Sequence, residues 1–339
     1  MLVGAATAVP AGGLAVELGP LHLEHPLINA SGTMELLELA DTLGDEILSR
    51  PPIAAYVPKT VTLAPRSGNS PPRILETAAG VINAIGLPNE GAAVFIKERL
   101  PRLLELPCPV IVSIGGFSPS EYEILARRLR ETLEERFSTE GAAGEGGMTP
   151  SWVSKVGLEL NISCPNVHTG CMSIGADSSE TREVVAAVRS VWPGLLIAKL
   201  TPNVTDVTEV GRAAVEAGAD ALAAVNTFKG LVIDRKTLRP YLGNVTGGLS
   251  GPAIKALALR VVYELYEAVA VPLIGMGGVA EVQDVLDFMS CGARVVAVGS
   301  AGLRDPLLGS RLAQALSHEL EVRGLSLGQL VGRAHRTDS

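Results

Sequence analysis

The feature of this chain that most constrains its fold is a repeated alternation of short apolar runs with amphipathic segments. The runs are rich in Val, Ile, Leu and Ala, as expected for buried parallel strands. They lie at residues 27–30, 54–57, 110–113, 156–162, 195–200, 221–225, 272–275 and 295–298. Segments with helical periodicity lie between them, at 121–137, 179–191, 207–217, 252–268 and 280–289. Eight strand-then-helix units predict an α/β fold, a (β/α)8 barrel of the TIM type.

The length and composition of the chain are compatible with one large barrel. The chain has 339 residues, and barrels routinely exceed about 200 residues as one domain. Hydrophobic residues make up 47% and aromatic residues only 4%, so the core must be mostly aliphatic. We therefore expect a single domain over residues 1–339, with long loops at its carboxyl-terminal face. A doubly wound sheet is the alternative, but it would need a glycine-rich turn after the first strand and does not explain eight units.

The charge and the cysteine content argue against several classes of function. The formal net charge of −8 and the lack of a Lys/Arg cluster argue against nucleic-acid binding. The four Cys residues have no paired spacing, so we expect no disulfide framework, metal site or iron–sulfur cluster in this chain. The N-terminus lacks a basic region and a membrane-spanning apolar run, which predicts a soluble cytoplasmic protein.

Three segments lie outside the alternation. A long insert at 59–91 is rich in Pro, Asn and Gly, and long loops at the carboxyl end of a barrel strand usually carry function. The glycine-rich stretch 138–150 is expected to be a flexible surface loop. The first residues of the chain, up to about position 13, are also expected to be flexible.

The residues that follow the predicted strands are candidates for an active site, because the carboxyl ends of all barrel strands face one mouth. They include Lys59, Asn161, Cys164, Lys199 and Asn226, together with several Gly, Ser and Thr residues. This composition suits a large, flat, partly anionic ligand that approaches the backbone closely.

Cys164 lies just after the fourth predicted strand, between Asn161 and Asn166. Pro165 ends the strand, so the thiol is expected in a loop. A lone Cys in apolar surroundings is more often an inert buried residue than a functional one. The only His near a strand end, His168, lies in the loop itself, so a Cys–His nucleophilic pair is not indicated. A functional Cys164 would therefore act as a proton acceptor.

Glycine-rich turns follow the seventh and eighth predicted strands, at 274–279 and 298–301. Paired turns of this kind form the phosphate pocket of many barrels, although glycine can also serve only to permit a tight turn. Lys199 ends an apolar strand, where a charge is costly unless an anion pairs with it. Its partner could be the pyrimidine edge of a flavin, or its side chain could extend to the rim.

Nine short motifs carry a family resemblance, from about residue 14 to residue 304. They are ASG at 30–32, PKT at 58–60, PRSGN at 65–69, NAIGLPN at 83–89, ELNISCPN at 159–166, KLTPN at 199–203, VNT at 225–227, NVTGGLSGPAIK at 244–255 and IGMGGV at 274–279. In this order they resemble the dihydroorotate dehydrogenases, and among them the soluble class 1 enzymes. The resemblance implies an FMN-dependent barrel that oxidises (S)-dihydroorotate to orotate in pyrimidine biosynthesis.

The resemblance also implies roles for individual residues. The FMN-binding set is Ser31, Lys59, Thr60, Ser113, Asn161, Lys199, Val225, Gly251, Gly277, Gly278, Gly299 and Ser300. The substrate-binding set is Lys59, Asn83, Ala84, Ile85, Gly86, Leu87, Asn161, Asn226 and Thr227. Cys164 takes the position of the catalytic base, which would remove the C5 proton of the substrate while the C6 hydride passes to flavin N5.

The motifs at 244–255 and 274–279 are more similar to class 1B, the NAD-linked heteromeric form, than to the fumarate-using class 1A. Class 1B implies a homodimer of this chain, or a heterotetramer with a partner subunit that carries FAD and a [2Fe–2S] cluster. Residues 33–37 depart from the family, which usually has a Gly/Phe-rich turn there, so contacts near the flavin are expected to differ. The 138–150 insert and Cys171 are also unusual for the family.

Three other functions are compatible with the sequence. A dihydropyrimidine dehydrogenase-like flavoprotein subunit has the same barrel and a similar Cys loop, and would accept dihydrouracil. A flavin-free, phosphate-binding isomerase or aldolase barrel would be colourless. A non-catalytic flavin-binding scaffold for a partner would hold FMN without turnover.

Overall fold

The computed structural model describes residues 13–138, 150–163 and 174–336. The N-terminus and most of the 138–150 stretch, both predicted to be flexible, lie outside the described residues. The same is true of Cys164 and Cys171. In the described ranges, no helix is long and apolar enough to cross a membrane.

In the part of the chain that the structure describes, fourteen strands form three sheets. They are β1 (Val16–Leu18), β2 (Leu21–Leu23), β3 (Leu27–Asn29), β4 (Val61–Thr62), β5 (Ile74–Thr77), β6 (Gly80–Asn83), β7 (Val110–Gly115), β8 (Val156–Asn161), β9 (Leu196–Lys199), β10 (Ala221–Ala224), β11 (Phe228–Leu231), β12 (Thr246–Ser250), β13 (Leu273–Met276) and β14 (Ala293–Val298). The central sheet has eight parallel strands in the order β3-β14-β13-β10-β9-β8-β7-β4. Almost all of its residues are buried, because helices cover one face and the barrel interior the other. The predicted barrel is confirmed.

Helices alternate with the strands and cover the outside of the barrel. They are α1 (Leu36–Leu43), α2 (Glu46–Ser49), α3 (Ala92–Val94), α4 (Leu100–Leu103), α5 (Pro119–Ser138), α6 (Ser178–Arg189), α7 (Val207–Glu216), α8 (Lys255–Ala268), α9 (Val282–Ser290), α10 (Leu308–Arg323) and α11 (Leu327–Leu330), with a π-helical turn at Phe95–Arg99. Asp177 and Asp206 begin α6 and α7, where their carboxylates accept backbone N–H bonds. The five segments with helical periodicity correspond to α5–α9.

The second predicted strand, 54–57, is the main departure from the expected barrel. Only Tyr56 forms a ladder bridge, to Val110, and the sheet counts β4 as its eighth strand instead. Pro52 and Pro58 flank the segment, and proline cannot donate a ladder hydrogen bond. The prediction of a regular strand at 54–57 is therefore wrong, although the segment occupies the expected place.

A side chain replaces the missing ladder between 54–57 and β3. Asn29 Nδ2 donates to the carbonyl of Val57 (2.7 Å), and Asn29 Oδ1 accepts from the Val57 N–H (2.8 Å). The Ala54 N–H also donates to the carbonyl of Leu27 (2.9 Å). Together with the Tyr56 bridge to β7, these bonds close the ring of strands.

A small antiparallel sheet lies at the carboxyl end of the barrel, in the order β11-β12-β6-β5. The 59–91 insert contributes β5 and β6, and the segment after β10 contributes β11 and β12. Val81 and Ser250 from this sheet line the cavity at the barrel mouth. The sequence predicted a functional insert here but not the sheet, because its strands are short and glycine-rich and pair with residues far away in sequence.

Aliphatic side chains fill the lower part of the barrel. Ile28, Ile197, Ala223 and Val295 pack together there, and Leu21 of the β1–β2 hairpin joins the same cluster. A ligand therefore has to be accommodated at the upper, carboxyl end.

Candidate active site

A cavity of about 350 Å³ opens at the carboxyl ends of the barrel strands. This volume lies in the range of small-molecule and cofactor sites. Most residues predicted for the site line it: Ser31, Lys59, Thr60, Asn83, Ile85, Gly86, Leu87, Asn161, Lys199, Val225, Asn226, Thr227, Gly251, Gly277, Gly278, Gly299 and Ser300. The structure thus brings together residues that are up to 269 positions apart in the chain, from 31 to 300.

Two of the predicted residues that lie in the described ranges are not on the cavity wall. Ser113 and Ala84 are fully buried behind the wall. Cys164 lies outside the described residues. Gly32, a candidate from its place after the first strand, is also on the wall. The sequence missed several other wall residues, most of them apolar, since apolar side chains give no chemical signal: Ala30, Thr33, Ile74, Val81, Ser250, Ile254, Met276, Val279 and Leu303.

One end of the cavity is a glycine cradle formed by Gly251, Gly277, Gly278 and Gly299. Gly251, Gly277 and Gly278 have φ of 95°, 129° and 86°, a region that favours glycine. A Cβ on Gly278 would lie 2.9 Å from the carbonyl oxygen of Gly251. In the described residues, the N–H groups of Gly277, Gly278 and Gly299 donate to no other backbone carbonyl. The cradle can therefore bind an anionic group closely through its backbone.

The middle of the cavity is held by a network of buried polar side chains. The Thr60 hydroxyl lies 2.9 Å from Ser113 Oγ and 3.2 Å from Ser31 Oγ, and it accepts from Asn161 Nδ2 (3.0 Å). The Ser31 hydroxyl donates to the carbonyl of Pro58 (2.9 Å). These bonds hold the ends of β3, β7 and β8 against the segment 58–60, so the wall is built in advance of ligand binding.

Lys199 projects into this cavity and is itself buried, with 5% exposed. Its Nζ lies 3.6 Å from Oε1 of Glu159, a carboxylate that is 3% exposed. Glu159 accepts a hydrogen bond from Ser113 Oγ (3.0 Å). Glu159 was not among the site residues predicted from the sequence, although its position two residues before Asn161 places both side chains on the inner face of β8.

The loop 83–89 forms the wall opposite the strand ends. Asn89 fixes it: its Oδ1 accepts from the N–H groups of Thr62 and Gly91, and its Nδ2 donates to Thr62 Oγ1 (2.8 Å). Gly86 has φ of 79°, and a Cβ there would meet Asn69 at 2.6 Å. The loop is therefore held in one conformation that presents its backbone to the cavity.

Asn226 and Thr227 meet the end of β8 on the other side of the cavity. Asn226 Nδ2 donates to Ser163 Oγ (2.8 Å), and Asn226 Oδ1 accepts from the Thr227 N–H (2.7 Å). Ser163 Oγ in turn donates to Asn161 Oδ1 (3.3 Å). Amide and hydroxyl groups from the ends of β8 and β10 can therefore contact one flat polar ligand.

Residues 33–37, where the sequence departs from the family pattern, lie beside the cavity. Thr33 lines the cavity and donates to the carbonyl of Ala30 (2.7 Å). Glu35 borders a second cavity, which also contains Lys59. Burial raises the pKa of Glu35 above its usual value, and the nearby Lys59 opposes this shift. The segment 33–37 thus brings a carboxyl group close to Lys59.

Among the described residues, no group of three or more His, Cys, Asp or Glu side chains could hold a metal ion. The chemistry available in the described part of the cavity consists of hydrogen bonding, two ammonium groups and an anion cradle.

Comparisons with known proteins place the chain in one family. The family model described as dihydroorotate dehydrogenase matches residues 13–137 and 153–320. A relative from Desulforudis audaxviator, named dihydroorotate dehydrogenase B (NAD(+)), catalytic subunit, is 45% identical over 328 residues, which are 95% of this chain and 98% of the relative. A relative of the same name from Pelobacter propionicus is 43% identical over 94% of this chain and 97% of its own length.

A solved structure shows the same fold. It is the dihydroorotate dehydrogenase of Eimeria tenella in complex with ferulenol, with a TM-score of 0.72 and 22% sequence identity. The match covers 96% of this chain and 89% of that chain.

Proposed function

Since the chain belongs to the dihydroorotate dehydrogenase family, we propose that it is the catalytic subunit of an NAD⁺-linked enzyme that oxidises (S)-dihydroorotate to orotate in pyrimidine biosynthesis. The family match and the relatives' names support the reaction. The observation that carries the proposal is the convergence of Lys59, Asn83, Asn161, Asn226 and Thr227 on one cavity. These groups suit a flat, anionic ring with several amide edges.

FMN is the cofactor we propose for this cavity. The glycine cradle at Gly277, Gly278 and Gly299 would hold its phosphate, and Lys199 with Thr60 would contact its ring system. The fit is supported by the cradle N–H groups, which in the described residues donate to no backbone carbonyl. It is also supported by the buried ammonium group of Lys199 on the cavity wall. Bound FMN supplies the acceptor for the hydride that leaves C6 of the substrate.

The chain's own residues bind the substrate and take up its proton. Lys59 provides a positive charge for the substrate carboxylate. Asn83, Asn226 and Thr227 provide amide and hydroxyl groups that orient the ring in the cavity. Cys164 is proposed to accept the C5 proton as a thiolate. This assignment rests on the sequence motif at 159–166, since Cys164 lies outside the described residues.

A partner subunit follows from the class of the relatives. Their printed names call them catalytic subunits of an NAD(+) enzyme. We propose that electrons leave this chain for a second protein that carries FAD and a [2Fe–2S] cluster and reduces NAD⁺. We place the complex in the cytoplasm.

A homodimer of this chain is also proposed, with the small sheet and the loop between β11 and β12 as the contact surface. Leu231, Ile233, Leu238 and Val245 are large apolar residues exposed there, with exposed fractions of 45–77%. We further propose that the chain is one domain, because the two segments matched by the family model leave out only a short internal stretch.

Substrate selectivity tests the proposed function. The protein, purified alone, should show a flavin spectrum that bleaches when (S)-dihydroorotate is added without oxygen. Dihydrouracil is the matched control, since it lacks the carboxylate that Lys59 would bind. Bleaching by dihydrouracil alone would instead support a dihydropyrimidine dehydrogenase-like subunit. A colourless protein that cannot be loaded with FMN would support a flavin-free barrel, and bound FMN that neither compound reduces would support a scaffold.

A further inference from the structure

Glu159 is a buried carboxylate that the proposed reaction does not use. Its side chain lies in the barrel beneath the cavity and does not line the wall. A carboxylate in such a place is costly unless a positive charge and hydrogen-bond donors compensate for it. Two partners compensate for the burial of Glu159. Lys199 supplies the positive charge, and Ser113 donates the hydrogen bond.

The strand register explains how the three side chains meet. Glu159 is directly opposite Ser113 on β7, and Asn161 is directly opposite Lys199 on β9. Successive inward residues of β8 are two positions apart, so Glu159 lies one layer below Asn161. The carboxylate therefore approaches the Lys199 ammonium group from beneath the floor of the cavity.

The separation of the two charges leaves the ammonium group available to a ligand. The distance from Lys199 Nζ to Glu159 Oε1 is 3.6 Å, beyond the range of about 2.7–3.2 Å for a hydrogen bond. Within the described residues, the Lys199 ammonium group donates no hydrogen bond, although it is almost completely buried. Its donors can therefore point to a group in the cavity, while Glu159 acts on it through charge.

We propose that Glu159 is a positioning residue that fixes Lys199 at the floor of the cavity and sets the reduction potential of the bound flavin. This inference rests on the proposed binding of FMN. A positive charge beside the pyrimidine edge of a flavin favours the reduced form, which carries more negative charge. The carboxylate beneath Lys199 offsets part of this charge, so Glu159 keeps the potential lower than Lys199 alone would set it.

Glu159→Gln is the direct test, measured on the FMN-loaded protein. Glutamine has nearly the same shape and can still accept the hydrogen bond from Ser113, so the packing is retained. We expect the equilibrium between the bound flavin and a reference dye to shift about tenfold towards reduced flavin, which is ~30 mV for a two-electron couple. Glu216→Gln is the matched control, because it breaks an exposed ion pair with Arg182 and should leave the potential unchanged.

A double-mutant cycle separates an effect through Lys199 from a direct effect of the carboxylate. In a Lys199→Met background the carboxylate has no ammonium group whose position or charge it could influence. Glu159→Gln should then change the potential little. The double variant also removes both buried charges, so it should fold even if Glu159→Gln alone does not.

Two results would overturn the inference. One is an unchanged potential in Glu159→Gln. The other is a Glu159→Gln shift of the same size with and without the Lys199→Met change, because the carboxylate would then act on the flavin independently of Lys199.

The wild-type protein distinguishes a failure of this inference from a failure of the proposed function. A wild-type protein that does not bind FMN would contradict both together. A wild-type protein that binds FMN and is reduced by dihydroorotate, with no shift in Glu159→Gln, would contradict the role of Glu159 alone.

Discussion

Individual residues at this site divide into those that line the cavity and those that hold its wall from behind. Lys59, Lys199 and Asn226 line the cavity, whereas Ser113 and Glu159 lie behind it and fix the wall. The sequence could predict the first kind, because polar residues at strand ends have a chemical meaning. It could not predict Glu159, because the role of a single Glu in an apolar strand depends on its neighbours in space. The sheet register, which the sequence does not show, brings Lys199 and Ser113 to it.

At the residue scale, Cys164→Ala tests the proposed base. We expect the variant to bind FMN and to keep its fold, but to lose roughly 10²-fold or more in the rate of flavin reduction, the usual scale for a general base. The measurement is anaerobic stopped-flow reduction by dihydroorotate. Cys108→Ala is the control, since burial raises the pKa of the Cys108 thiol to about 12 and the residue lies outside the cavity wall. Equal rates in the wild type and Cys164→Ala would contradict the assignment.

His25 is expected to make the free energy of unfolding depend on pH. Burial lowers the pKa of His25 from 6.5 to about 4, so the unfolded chain takes up a proton before the folded one does. Above pH 6.5 His25 is neutral in both states and does not reduce the free energy of unfolding. As the pH falls from 6.5 towards 4, protonation of the unfolded chain lowers the free energy of unfolding. The loss is about 3 kcal/mol, from about 1.36 kcal/mol per pKa unit.

Urea unfolding of the wild type and His25→Gln at several pH values checks this prediction. The difference in the free energy of unfolding between the two proteins should shrink as the pH falls through this window. A difference that stays constant from pH 7 to 4 would show that His25 is not responsible.

Among helices and strands, those whose sequence signal lies within their own residues could be predicted, and those held by distant residues could not. The amphipathic segments from α5 to α9 and the apolar strands carry their signal within a few residues, and they were predicted well. The segment 54–57 is apolar too, but it lies between prolines and is held by the side chain of Asn29. The small sheet pairs residues such as Asn83 and Gly248, which lie far apart in the sequence, so no local pattern predicts the pairing.

The glycine cradle gives a prediction at this scale. In Gly278→Ala, the methyl group would lie 2.9 Å from both the Gly251 carbonyl oxygen and Lys255 Cβ, at a φ of 86°. The strain is about 1–3 kcal/mol, so we expect FMN affinity to fall about tenfold or more. Fluorescence titration of the apoprotein with FMN measures this.

Gly328→Ala is the matched control for the cradle. Gly328 lies in α11, and a Cβ there meets nothing within 4 Å. This variant should bind FMN as the wild type does. Equal affinity in Gly278→Ala and Gly328→Ala would contradict the placement of the phosphate.

The whole molecule is proposed to assemble as a homodimer. The exposed apolar residues of the small sheet are proposed to contact a second copy. Leu231→Glu places a charge on β11, where Leu231 is 51% exposed, and should shift the protein from dimer to monomer. Light scattering during gel filtration measures this.

Val322→Glu is the control for assembly, since Val322 is 69% exposed on α10, far along the chain from the small sheet. It should leave the dimer intact. A wild-type monomer, or a Leu231→Glu dimer, would contradict the proposed contact surface.

The central claim is that this cavity oxidises dihydroorotate with bound FMN. The most direct measurement is an anaerobic titration of the purified chain with (S)-dihydroorotate, in which flavin absorbance and orotate are followed together. We expect complete bleaching, with one orotate formed per flavin reduced. Bound flavin that remains oxidised in excess dihydroorotate, with no orotate formed, would contradict it.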